Sequence, residues 1–178
     1  MAAPQQGPSK EFAAGYRDMM LQNLAQEMTT TKKVLSAVPD NKSDYRPDPK
    51  ARTAKELAWH IASVDVQFLE EIADGKFNME PRFKDEPKSS AELADWYEKN
   101  FNRAIERVRA MSPEQLVTVL NFYDAFHLPA FVYLSFLEKH SIHHRGQLSA
   151  YLRPMGAKCP SIYGGSADEP WPGSAAAD

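Results

Sequence analysis

The chain has 178 residues, 43% hydrophobic and 25% charged, with 21 Lys and Arg against 24 Asp and Glu. That length supports one domain around one core, and a net charge of -3 offers no clustered basic footprint for nucleic acid. A single cysteine, Cys159, excludes an internal disulfide framework and every multi-cysteine metal motif.

The opening MAAPQQGPSKEF lacks the apolar centre of a signal peptide, and no run of about eighteen apolar residues offers a membrane span. A cytoplasmic protein with no membrane and no nucleic-acid partner is therefore expected. Residues 1–10 and 164–178 are poor in apolar side chains and are expected to be flexible ends around a domain at 11–163.

Four long helices are predicted. The first spans about Glu11 to Val38, with Phe12, Tyr16, Met19, Leu24, Met28, Leu35 and Val38 on one stripe. Pro39 and the polar loop after it stop that helix. The second opens at a capping box, Thr53 with Glu56, and carries Leu57, Ile61, Val64, Phe68 and Ile72 to a stop at Gly75. A fourteen-residue segment holding Pro81 and Pro87 leads to another box, Ser89 with Glu92. The third helix then turns Leu93, Trp96, Tyr97, Ile105 and Val108 inward. Ser112 to Gln115 reads as one helical turn, and TVLNFYDAFH after it as irregular. The last helix is expected to start near Pro129, a residue favoured at the first helical position, and to run through Leu148 and Leu152 to Gly156. Four amphipathic helices in so small a chain predict an all-α four-helix bundle.

Three of the five histidines face the predicted core. His60 lies three residues after Leu57 and four before Val64. His140 follows Leu137 by three, and His144 stands one turn further on, four before Leu148. Imidazoles at i and i+4 can point at a common ion, and a third from a facing helix makes a three-histidine site with room for water or substrate. A histidine alone on an apolar stripe is more ordinarily a hydrogen-bonded core residue. Three together would each bury a polar atom without a partner, which one shared cation resolves.

The other polar candidates are weaker. His143 lies about 100° around the helix from His144 and suits a bundle edge. His127 can line a pocket mouth, with a structural role as the default. Glu56, Asp65 and Asp124 are each either an acid orienting a ligand imidazole or a solvated acid. Gln147 reaches the site edge, Arg145 suits a neighbouring helix or a partner copy, and Tyr151 shares the face of His144. Nothing around Cys159 marks it as a nucleophile.

The stretch His140 to Arg153, HSIHHRGQLSAYLR, with Glu56-Leu57-Ala-Trp-His60-Ile61 and Pro160-Ser-Ile-Tyr-Gly, resembles the DinB/YfiT-like family of metalloenzymes. That family is unrelated to the translesion polymerase of similar name, and charge argues against DNA binding here. The resemblance implies an up-down-down-up bundle with a left-handed twist and frequent homodimers. It also implies a divalent ion, zinc or nickel, held by residues matching His60, His140 and His144. Relatives include S-transferases and isomerases that use a low-molecular-weight thiol, and others described as hydrolases. The expected function is a metal-dependent enzyme on a small-molecule substrate, activating thiol or water as an S-transferase or hydrolase. The alternative is a non-catalytic stress-response bundle stapled by a structural metal.

Overall fold

The computed structural model describes residues 7–171. The expected flexible ends fall partly outside them, at residues 1–6 and 172–178. α1 (Lys10–Ser36) starts where the Ser9 hydroxyl accepts the Phe12 N–H at 3.1 Å. Its buried face carries Ala13, Met20, Leu21, Leu24, Met28, Thr31, Val34 and Leu35. The predicted stripe is thus corrected at two places: Phe12 and Met19 are more than half exposed. Each lies one residue, about 100°, before the side chain that takes the core position, Ala13 and Met20. Phe12 instead meets the Phe131 ring edge-on at 5.9 Å.

α2 (Ala54–Asp74) opens on the reciprocal Thr53–Glu56 box, at 3.1 and 2.7 Å. It closes at Gly75, whose φ of 73° lets Lys76 N–H return to Glu71 O and Gly75 N–H to Ile72 O. α3 (Ser90–Arg109) has half of the expected box. Ser89 accepts from Glu92 N–H, but the Glu92 carboxylate takes the Lys88 N–H at 2.9 Å. α4 (Pro113–Val117) is the predicted short turn, with Ser112 and Gln115 capping one another.

The stretch expected to be irregular is a hairpin of β1 (Val119–Phe122) and β2 (Phe126–Pro129), antiparallel with Leu120 opposite Leu128. Its turn puts Tyr123 and Asp124 at φ 54° and 58°. Asn121 holds that turn by accepting the Asp124 N–H and donating to its carboxylate. Pro129, expected at a helix start, belongs to β2; Ala130 N–H pairs with Thr118 O and extends the ladder. A short 3₁₀ turn (Ala130–Val132) then leads into α5 (Tyr133–Leu152). The buried Tyr133 hydroxyl donates to Leu120 O and accepts from Leu128 N–H, pinning hairpin to helix.

Contacts along the helices fix their directions. α1 runs parallel to α5, since Tyr16 meets Phe131 near the start and Thr31 meets Ser141 and Arg145 further on. α2 runs against α5, with His60 near His144 and Phe68 near Tyr133. α3 parallels α2, because Trp96 packs on Trp59 while Arg107 reaches Asp74. It opposes α1, through Lys32 with Glu98 and Arg17 with Met111 O. The bundle is therefore up-down-down-up, and the connection at 75–89 crosses its length between the parallel α2 and α3. Leu21, Leu24, Leu57, Ile61, Leu69, Tyr97, Phe101 and Leu137 fill its centre. No helix of the described residues is long and apolar enough to cross a membrane.

Beyond α5 the chain folds back on itself. Asp168 pairs with Arg153 at 2.7 Å and accepts the Cys159 N–H, while Ser166 donates to Cys159 O.

Candidate metal centre

His60 projects from α2 toward α5, where His140 and His144 lie one turn apart on the facing side. His60 Nε2 is 3.3 Å from His140 Nε2 and 3.3 Å from His144 Nε2, and the three lie within 4.8 Å of one another. Two imidazoles on a tetrahedral zinc, at Zn–N distances of about 2.0–2.1 Å, stand about 3.3–3.4 Å apart. The residues that spacing alone placed on two stripes are therefore together, all half-buried.

The far side of two rings is held. Asp65, fully buried, accepts the His140 Nδ1–H at 2.9 Å on one oxygen and the Tyr97 hydroxyl at 3.1 Å on the other. Gln147 Oε1 accepts the His144 Nδ1–H at 2.8 Å, its amide oriented by Nε2 donating to His143 Nε2 at 3.1 Å. Both rings thus carry their proton on Nδ1 and turn an Nε2 lone pair inward. His60 can offer an Nε2–H to one of them and leaves the other lone pair facing an acceptor.

Protonating His60 is no remedy. Burial, then the Arg52 charge and the two neighbouring imidazoles, push its pKa down to about 3. Burial also lowers His144, against the Gln147 hydrogen bond that raises it. Three neutral imidazole nitrogens converging with at most one proton among them are compatible with a divalent cation.

His60 and His140 also sit on the wall of a cavity of about 400 Å³. One face of α2, from Glu56 to Glu71, forms its long side. Residues of the 75–89 connection, Pro81 and Phe83 among them, and the hairpin residues Phe122 and Tyr123 complete it. Gln67 ties this cover down, donating to Asn78 O and Glu80 O and accepting the Arg82 N–H. The Tyr123 hydroxyl donates to Asn78 O and joins hairpin to connection.

The remaining candidates separate cleanly. Of the three acids, Asp65 orients an imidazole, Glu56 caps α2 at the cavity edge, and Asp124 holds the hairpin turn. His143 is exposed and orients Gln147; His127 is exposed on β2 and off the cavity wall. Tyr151 packs on Tyr45 at 5.7 Å and does not line the cavity. Arg145 is 1% exposed and faces α1, where it pairs with Glu27 and donates to Thr31 and to Tyr163 of the C-terminal segment. Cys159 is half-buried. Gln67 and Glu71 were not foreseen; their sole sequence signal is polarity at helical spacing along the His60 face.

An up-down-down-up bundle with three inward imidazoles from two facing helices defines the class. The DinB family's sequence model matches residues 11–172, and the chain belongs to that family. It is 26% identical over 153 residues to the uncharacterized protein YrdA of Bacillus subtilis (strain 168), covering 85% of this chain and 90% of that protein. Among solved structures, a DinB-like protein from Bacillus cereus ATCC 10987 is similar at TM-score 0.68 and 27% identity, over 81% of this chain and 95% of that one. The DinB-like protein YjoA of Bacillus subtilis shares the fold at TM-score 0.67 and 20% identity, over 81% and 97%.

Proposed function

We propose that this protein is a metal-dependent enzyme of the S-transferase or hydrolase type. His60, His140 and His144 hold one divalent transition ion, zinc or nickel, beside a small-molecule cavity. The observation that carries this reading is the convergence of three Nε2 atoms, two of them freed of protons by Asp65 and Gln147. When bound, such an ion brings a coordinated thiol or water toward its anion near neutral pH. A low-molecular-weight thiol is the cosubstrate of the transferase version.

The chain's own contribution is positional. Asp65 keeps the proton on His140 Nδ1, and Tyr97 keeps Asp65 in place. Gln147 does the same for His144 from the solvent side. Trp59, Phe68, Phe83 and Phe122 supply the apolar part of the wall against which a ligand beside His60 and His140 would lie. A purely structural metal is less well supported, because the four long helices already close a continuous apolar core. Association into a homodimer belongs to the same proposal through the family resemblance, and light scattering tests it.

The deciding experiment is elemental analysis by plasma mass spectrometry of tag-free protein beside His144→Ala. About one equivalent of transition metal in the wild type, lost in the variant, is the expected result. No metal after reconstitution with zinc and nickel would overturn the reading. Thiol-transfer and ester- or amide-hydrolysis screens on the loaded protein then separate the two reaction types, with His144→Ala as the inactive control.

A further inference from the structure

The cavity wall continues beyond the histidines along one face of α2, through Ser63, Gln67 and Phe68 to Glu71. Glu71 stands eleven residues from His60, a rise of about 16 Å along the helix. It is 5% exposed. Its Oε1 accepts from Gln67 Nε2 at 2.9 Å and from Asn78 N–H at 3.1 Å, while Oε2 takes no hydrogen bond among the described residues. No ion pair reaches this carboxyl among those residues either. The Arg82 guanidinium beside it is committed to Asp74 at 2.7 Å and Glu70 at 3.6 Å.

Against the burial that raises the Glu71 pKa, the Arg82 charge lies near enough to lower it; Lys76 and Arg82 share a neighbouring cleft with Glu71, but neither lines the cavity itself. Among the described residues no Lys or Arg lines the cavity, and five aromatic side chains do: Trp59, Phe68, Phe83, Phe122 and Tyr123. Aromatic faces carry negative potential and attract cations, most strongly where water is scarce. A carboxylate in a largely buried residue is costly where one oxygen lacks a protein partner, and burial raises the Glu71 carboxyl from its ordinary value against the Gln67 and Asn78 hydrogen bonds and the Arg82 charge that lower it. An anionic ligand would meet repulsion at this end, and a neutral apolar one would leave the acid uncompensated. An alkylammonium group satisfies both the acid and the rings.

We propose that the cavity takes an organic amine, its ammonium group against Glu71 among the aromatic side chains and its apolar body along α2 toward His60. Only the statement that the reacting end points at His60 rests on the metal-dependent reading above; the ammonium subsite stands on Glu71 and the rings. The substrate class is therefore an elongated primary or alkylated amine.

The test titrates phenethylamine, 2-phenylethanol and 3-phenylpropionate into metal-free and zinc-loaded full-length protein. Binding is followed in amide spectra at the Trp59 indole and the Gln67 side chain. The ammonium probe is expected to bind at least about tenfold tighter than the alcohol in both metal states. Glu71→Gln keeps an acceptor for Asn78 N–H and is expected to bring the two probes to parity while leaving zinc content unchanged. Equal affinities in the wild type, a preference that survives Glu71→Gln, or no ammonium binding at millimolar concentration would each overturn the proposal. Absence of metal from the wild type would overturn the enzyme reading alone, because the preference is measured in metal-free protein as well.

Discussion

Asp65 Oδ1 lies 2.9 Å from His140 Nδ1, and Asp65 is wholly buried between α2, α3 and α5. Its second oxygen takes the Tyr97 hydroxyl, so one carboxylate links three helices and sets the tautomer of one imidazole. A buried acid that is fully hydrogen-bonded is tolerated where an unpaired one is not. The same contact raises the basicity of the opposite ring nitrogen.

Asp65→Asn keeps the shape and one acceptor oxygen but removes the charge behind His140. The expected outcome is a fall in zinc affinity of about 10–100-fold, the usual effect of losing such a partner. Competition against a chromophoric chelator measures it. Unchanged affinity would mean that Asp65 serves packing alone.

Arg145 and Glu27 form the second buried linkage, joining α5 to α1, with the Tyr163 hydroxyl 2.5 Å from the guanidinium and 2.7 Å from Glu27. Arg145→Ala leaves the largely buried Glu27 without its cation, with the Tyr163 hydroxyl still donating to it, and is expected to cost about 3 kcal/mol. Tyr163→Phe removes a hydroxyl and keeps the ion pair, so about 1 kcal/mol is expected. Urea unfolding gives both values, and limited proteolysis should show the segment after Cys159 cut faster in Arg145→Ala. Equal losses in the two variants would contradict this ordering.

Much of this was readable before any coordinates, for physical reasons that differ by element. The Thr53–Glu56 and Ser112–Gln115 caps were legible because capping is local chemistry at fixed spacing. The histidine triad was legible because i, i+4 spacing sets a common face, although the pairing of α2 with α5 needed the family resemblance. The hairpin was hidden because its turn uses Tyr123 and Asp124 at positive φ with no glycine to announce it. Pro129 misled for a related reason: a fixed φ suits the end of a strand as well as the start of a helix. Arg145 was legible as a residue for a neighbouring helix, and α1 is that helix, whereas Asp65 stayed open between a ligand-orienting and a solvated acid and Glu71 drew no reading, since single-residue polarity carries no record of a tertiary partner.

Gly75 offers a cleaner test of backbone physics. It ends α2 at φ 73°, and a Cβ added there would meet no atom of the described residues within 4 Å. Gly75→Ala therefore changes backbone strain without a clash, and is expected to cost about 1–2 kcal/mol in denaturant unfolding. Gly75→Asn should lose less, because asparagine enters the left-handed region more readily. A loss in alanine no greater than in asparagine would argue that the end of α2 relaxes.

The Glu71 carboxyl predicts a pH signature of its own. Burial raises its pKa from the ordinary 4.5, so the folded chain holds this proton where the unfolded chain has released it. Below about pH 4.5 the group is protonated in both states and favours neither. As pH rises through the unfolded value toward the folded one, the unfolded state sheds its proton first and the wild type loses stability at this position. Glu71→Gln has no proton to shed and escapes that loss. The difference in melting temperature, variant minus wild type, should therefore be small near pH 4 and grow positive toward pH 7. Phenethylamine should shrink that difference at pH 7 by stabilising the wild type more than the variant, since a ligand stabilises the folded state in proportion to how tightly it binds. A difference that stays flat with pH would place the Glu71 carboxylate in effective contact with water and remove the physical basis for an ammonium subsite.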